Sequence, residues 1–211
     1  MADILDVLTL PEAKTALGLN SAATTYDTVL AQYVTAVSRQ LDKLCGPVVV
    51  RTVTNEPHDG GGHTIRLRRV PVLTVTTVTE YNGTTGTTIT AETNAAKTST
   101  NYLHDGTLGT INSGTIIRRS SDGDETFESG RRNIEVTYEA GRAATTATVD
   151  ARFKNAAAMM LRNVWTAEQA TGSQTFGEYA EQPVNPLYGP GMLNKVAAML
   201  IGELHDGVYV G

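Results

Sequence analysis

One stretch constrains the fold more than any other. From Tyr26 to Leu44 the apolar residues Tyr26, Val29, Leu30, Tyr33, Val34, Val37, Leu41 and Leu44 recur at intervals of one, three or four. That is one face of a 3.6-residue period, so the spacing predicts an amphipathic helix about five turns long. Gln32, Ser38, Arg39 and Asp42 fall between them and are expected on the wet side. Thr24 or Thr25 can cap its start, Asp27 suits the positive end of the helix dipole, and Gly46-Pro47 ends it. A helix of this kind must bury its stripe against other elements, so its neighbours decide the architecture.

Two further helices supply those neighbours. Thr9-Leu10-Pro11-Glu12 has the pattern of a capping box, Gly18 is a natural stop, and Leu10, Ala13, Ala16 and Leu17 form a stripe. A later helix runs from about Val149 to Glu168, capped by Thr148, with Val149, Phe153, Ala157, Met160, Leu161 and Val164 on its apolar face. A last helix, Met192 to His205, follows the Gly- and Pro-bearing stretch Thr171 to Gly191 and carries Leu193, Val196, Leu200 and Leu204.

Between the second and third helices the character changes. The chain has 32 threonines, and they crowd between Arg51 and Thr115, where branched Cβ atoms favour a pleated surface. Strands are expected at Val48–Thr54, Thr64–Arg68, Val72–Tyr81, Thr115–Arg118 and Asn133–Tyr138, and Asn82-Gly83 signals a hairpin turn. His58 to Gly62, Thr84 to Gly114 and Ser120 to Arg132 read as projecting loops. The fold expected is α+β: a small helical bundle with a β-sheet and hairpin region inserted between its second and third helices, without a second core, plus a C-terminal arm. Residues 1–170 are expected to form a single domain, with helices at about 10–17, 25–45 and 149–168 and β structure over about 47–141. Residues 171–211 form the Pro/Gly linker and the helical arm.

Charge and chemistry narrow the function. Seventeen Lys+Arg against 22 Asp+Glu give a net charge of −5, a poor basis for wrapping nucleic acid. Phosphate-loop, dinucleotide-loop and nucleophile-elbow patterns are absent. His58 and His63 flank Asp59 and three glycines but lack the convergent ligands of a metal site, and Asp122-Gly123-Asp124-Glu125 lacks the spacing of a calcium loop. Cys45 ends an apolar stripe and reads as a packed thiol. No apolar run is long enough for a membrane span, no cofactor is expected, and no residue frame supports catalysis. Arginine pairs recur at Arg68-Arg69, Arg118-Arg119 and Arg131-Arg132. Together with Arg39 they are candidates for contacts between subunits, set against a plainer reading as wet faces balanced by Glu125, Glu128 and Glu135. The stripe Leu193, Val196, Leu200 and Leu204 is a second candidate, either as a docking arm or as part of the chain's own core.

Four segments occur in an order that resembles a known family. They are Leu8-Thr9-Leu10-Pro11-Glu12-Ala13-Lys14-Thr15-Ala16-Leu17, Leu41-Asp42-Lys43-Leu44-Cys45-Gly46, Leu67-Arg68-Arg69-Val70-Pro71-Val72-Leu73-Thr74-Val75, and Val136-Thr137-Tyr138-Glu139-Ala140-Gly141 before an Ala-rich helix. This order is similar to that of the head–tail connector (head-completion adaptor) proteins of long-tailed bacteriophages. The sequence departs from the pattern where Ala144-Thr145-Thr146-Ala147-Thr148 replaces the usual proline before the third helix, and in the Thr/Gly stretch and the tail after Thr171. The resemblance implies a structural, non-enzymatic virion protein of the neck, assembled in the bacterial host cytoplasm. Its implied partners are the portal protein, copies of itself in a twelve-membered ring, and the next neck protein (stopper) or a tail terminator, with non-specific contact to the DNA passing through the lumen. The alternatives are another neck or tail-completion protein, or an enzyme with an unrecognised site in the Thr-rich region.

Overall fold

In a computed structural model of the chain, the structure describes residues 3–92, 101–104, 114–120, 123–171, 196 and 200. The chain divides into two compact units. A helical unit comprises Met1–Val49 and Ala143–Gly211, and a β unit comprises Val50–Arg142. The α+β expectation holds, with the strands inserted between the second and third helices.

In the helical unit, α1 (Leu10–Leu17) starts with the expected capping box: the Thr9 hydroxyl accepts from the Glu12 N–H, and the Glu12 carboxylate accepts from the Thr9 N–H at 2.8 Å. It ends at Gly18, whose φ of 68° is left-handed backbone that a side chain would strain. α2 (Asp27–Cys45) buries Leu30, Val34, Val37, Leu41 and Cys45, and α3 (Ala151–Thr171) buries Phe153, Ala156, Ala157, Met160 and Leu161. These residues, with Val7, Leu8, Val48 and Val49, make one apolar cluster. The Cys45 thiol donates to the Leu41 carbonyl at 3.0 Å. Buried Lys14 spans the connection to α2, donating to the Ala23 carbonyl at 2.7 Å and pairing with Asp27 at 2.7 Å.

Several local expectations are corrected. Tyr26 precedes α2 with no side-chain cap, so neither Thr24 nor Thr25 caps it. Tyr26 and Val29 are 47% and 42% exposed, because the first turn of α2 extends past the core; the Tyr26 ring instead meets Trp165 edge-on at 5.3 Å. Ser38 is buried, accepting from the Val7 N–H at 2.9 Å and donating to the Val34 carbonyl. Thr148 belongs to a 3-10 turn, and Asp150 caps α3 by accepting from the Arg152 N–H at 2.8 Å. No described helix is long and apolar enough to cross a membrane.

The β unit holds β1 (Arg51–His58), β2 (Thr64–Arg66), β3 (Val72–Asn82), β4 (Thr85–Ala91), β5 (Asn101–His104), β6 (Thr115–Ser120), β7 (Gly123–Asp124) and β8 (Ile134–Ala140). The strand order is β1-β8-β3-β4-β5-β6-β2, with β7 on β6. All pairings are antiparallel except β4 with β5. Asn82 pairs with Thr85, which confirms the hairpin at Gly83. Two expected loops are corrected. The stretch Thr84 to Gly114 contains β4 and β5, and the stretch Ser120 to Arg132 buries Phe127. The strand expected at Val48–Thr54 begins at Arg51, because Val48 and Val49 serve the helical cluster.

The expectation of no second core is also corrected. Ile65, Val72, Val78, Ile89, Tyr102, Ile116, Phe127, Ile134, Val136 and Tyr138 form a cluster of their own. Inward residues from strands along nearly the whole order meet there, so the sheet curls on itself and needs no helix to cover it. The glycine segment that was expected to project is instead tied by its backbone to the connection before β8. The Gly60 N–H donates to the Gly130 carbonyl and the Gly61 N–H to the Phe127 carbonyl, both at 3.0 Å. A Cβ on Gly60 would lie 1.8 Å from the Glu128 carbonyl oxygen, a contact only glycine permits.

Candidate interaction surface

The arginines divide by what they touch. Arg118 is 5% exposed, and its guanidinium reaches Glu80 at 3.1 Å, Glu125 at 3.3 Å and the Asn101 carbonyl at 3.1 Å. Arg119 pairs with Glu92 at 3.3 Å and more loosely with Asp124 at 3.8 Å. Both are bound inside the β unit, and Arg118 offers almost nothing to a partner. Arg131 and Arg132 are exposed; Arg132 has φ 52°, and its N–H donates to Asp59 at 2.7 Å. Of the expected balancing acids, Glu125 meets Arg118, whereas Glu128 accepts from the Asn82 amide at 2.9 Å and Glu135 from the Tyr81 hydroxyl at 3.3 Å.

Arg68 and Arg69 occupy a distinctive place. They follow β2, where buried Ile65 and Leu67 alternate with exposed Arg66 and Arg68. The Arg68 N–H donates to Glu56 Oε1 at 3.0 Å, the Arg68 guanidinium to the Pro57 carbonyl at 3.2 Å, and the Arg69 N–H to the Tyr138 hydroxyl at 3.1 Å. The Tyr138 hydroxyl in turn donates to Glu56 Oε2 at 2.8 Å. These bonds join the two ends of the strand order, β1 and the segment after β2, through side chains. Pro57, which has no N–H, and the irregular register between Val53 and Glu56 keep the β1 edge from pairing with a foreign strand. The two sequence motifs of the β unit therefore meet physically: Tyr138 of the second holds Arg69 of the first, and the Gly141 N–H donates to the Pro71 carbonyl at 2.9 Å.

Glu56, His58 and Tyr138 have the residue types of an acid–base group, and the His58 Nε2 lies 2.8 Å from Glu56. Their polar atoms point at one another and at the backbone. Burial holds the His58 pKa below its ordinary value, against the pull of Glu56, and burial with the bond to Glu56 raises that of Tyr138. The arrangement closes a seam. His63 Nδ1 lies 3.0 Å from the Glu125 carbonyl oxygen, and among the described residues no group of three or more His, Cys, Asp or Glu could hold a metal ion.

In the helical unit, exposed Arg39 lies at an open groove of about 460 Å³ lined by Thr28, Ala31, Gln32, Thr35 and Ala36 along α2. Beside it, Thr35 donates to buried Asp6 at 3.0 Å. Burial raises the Asp6 pKa, while Thr35, the Asp3 N–H and Arg39 oppose the rise. Val196 and Leu200 are both fully buried in the helical cluster, where they help complete this unit's own core. Leu193 and Leu204 lie outside the described residues. Sequence reasoning missed the Glu56 seam, because nothing local marks a carboxylate that bonds residues 12 and 82 positions away. It also missed Leu73, which is 50% exposed on the face opposite buried Val72, beside a register shift between β3 and β8.

Neither the family models nor the curated proteins contain a match to this chain. Among solved structures, the chain is similar to one described as the neck of an empty GTA particle computed with C6 symmetry. The TM-score is 0.56 at 17% identity, over 97% of this chain and 93% of the other, so the two chains share a fold across nearly their whole lengths.

Proposed function

We propose that this chain is a structural neck protein of a phage-like particle, a head-to-tail connector that forms a cyclic ring, extends the DNA channel and joins capsid to tail. The observation that carries this reading is the near full-length likeness to a chain from a GTA particle neck. The motif order supports it independently, since its β-unit segments pack together through Tyr138, Arg69, Pro71 and Gly141. A sixfold neck accommodates six or twelve copies, and the twelve-membered ring matching a portal remains the stoichiometry we favour. Ring contacts between identical subunits are heterologous, so each copy must present two different complementary faces. Portal on one side, and a stopper or tail terminator on the other, complete the assembly. The net acidic chain lets DNA pass without adhering.

Deletion of the gene for this chain tests the reading. DNA-filled heads and complete tails that fail to join are the expected products. Normally joined particles, or tails that are themselves incomplete, would overturn it.

A further inference from the structure

Five arginines of the β unit are exposed and stand outside its ion pairs. Arg66, Arg68 and Arg69 lie in and just after β2, and Arg131 and Arg132 lie in the connection before β8. Among the described residues, no ion pair joins any of the five to an acidic side chain, whereas Arg118 and Arg119 are each paired with acids of their own unit. The fold brings the two groups to one place. The Arg68 guanidinium donates to the Pro57 carbonyl at 3.2 Å, and the Arg132 N–H donates to the Asp59 carboxylate at 2.7 Å. Pro57 and Asp59 are two residues apart, a span of at most about 7 Å. Both groups therefore meet at the end of β1. Their backbones are fixed: the Arg68 N–H is held by Glu56, the Leu67 N–H by the Gly114 carbonyl at 2.6 Å, and the Gly60 N–H by the Gly130 carbonyl at 3.0 Å.

This surface offers charge without an apolar anchor. Arg66 and Arg68 alternate with buried Ile65 and Leu67 and so share one face. No large apolar residue is exposed within residues 57–71 or 128–133. Gly61 and Gly62, exposed and without side chains, lie between the two arginine groups along the chain and leave room for close approach. A protein interface draws its energy from desolvated anchors, whereas a phosphate backbone is held by fixed cations and hydrogen-bond donors. Asp59 is the exposed acid at this strand end; Glu56 is buried and engaged by Tyr138. We propose that the five arginines bind the phosphate backbone of duplex DNA without regard to sequence. The inference deepens the neck reading, which supplies the source of the DNA; the binding itself belongs to the chain. At a net charge of −5 the chain as a whole repels a polyanion, so the contact is local and readily broken, as passage of DNA requires.

Anisotropy of fluorescently labelled duplex DNA, titrated with the purified full chain, tests this. Affinity should fall at least about tenfold between about 50 and 200 mM salt. At the lower salt, R66Q/R68Q/R69Q and R131Q/R132Q should each weaken binding at least about threefold, equally for unrelated duplex sequences, and all five changes together more than about tenfold. R39Q, in the helical unit, should leave binding unchanged. D59N keeps an oxygen for the Arg132 N–H and removes a negative charge, so it should tighten binding. Circular dichroism confirms that each variant is folded. No binding, binding that survives loss of all five arginines, or weaker binding in D59N would overturn the proposal. Self-association that needs the five arginines, with no DNA bound, would assign them to a neighbouring copy and overturn it too. Each of these results would leave the neck reading standing, since the gene deletion tests that separately.

Discussion

The helical unit and the β unit are held together in different ways. The helical unit rests on local devices, a capping box, a left-handed glycine stop and stripes at helical spacing, followed by packing of Leu30, Leu41, Phe153 and Leu161. The β unit rests on bonds between distant residues: Glu56 to Tyr138, Arg118 to Glu80, Gly60 against Glu128. Damage to the first should therefore scale with apolar volume removed, and damage to the second with polar partners stranded.

Hydrogen exchange read separately for the two units can break this contrast. The largest effects are expected from Leu161→Ala, a cavity in the helical core costing about 3–5 kcal/mol, and from Arg118→Met, which removes a buried cation and leaves half-buried Glu80 without it, at a cost of about 3 kcal/mol. Each should weaken protection mainly in its own unit. Tyr138→Phe comes next. It removes one hydroxyl, deprives Glu56 of a donor and Arg69 of an acceptor, and should cost about 1–3 kcal/mol with opening centred on residues 51–58 and 67–72. Thr9→Ala should cost about 1 kcal/mol and fray only the start of α1; loss throughout the helical unit would show that the cap does more than its local bond.

The smallest effect is a difference in pH response. The fold holds His58 below its ordinary pKa of 6.5, so the unfolded chain binds that proton more readily. Stability of the β unit should decline as pH falls below 6.5, and His58→Gln should flatten the decline in a denaturant titration. Asp6 acts in the opposite sense. Its pKa is raised above 3.8, so its contribution is complete below that pH and is lost as pH rises through the folded value. Asp6→Asn should remove that loss in the helical unit, and an identical pH response in the two variants would contradict the assignment.

The same contrast explains what the sequence disclosed. Thr9, Glu12 and Gly18 act within ten residues, and the α2 stripe repeats its own period, so both were readable along the chain. Ile134, Val136 and Tyr138 alternate inward as their spacing predicts. Arg118 looked like a surface cation because its neutralising acids lie far off in sequence, and Ser38 looked wet because its partner is Val7. The strand β4 escaped detection since its Thr- and Gly-rich sequence has one large apolar residue, buried Ile89, and β5 because it is only four residues long, Asn101–His104. Among the candidate surface residues, position in sequence could not separate Arg69, exposed at a fixed corner, from Arg118, enclosed by the same unit. That distinction came from the curl of the sheet.

The account stands on this chain being a ring-forming component of a particle neck. A cryo-electron microscopy map of the intact particle, at a resolution that traces side chains, tests this most directly. The account predicts a closed ring of this chain at the junction of capsid and tail, with the α+β fold fitting each copy. Density for the chain anywhere else in the particle, or a single asymmetric copy at that junction, would contradict it.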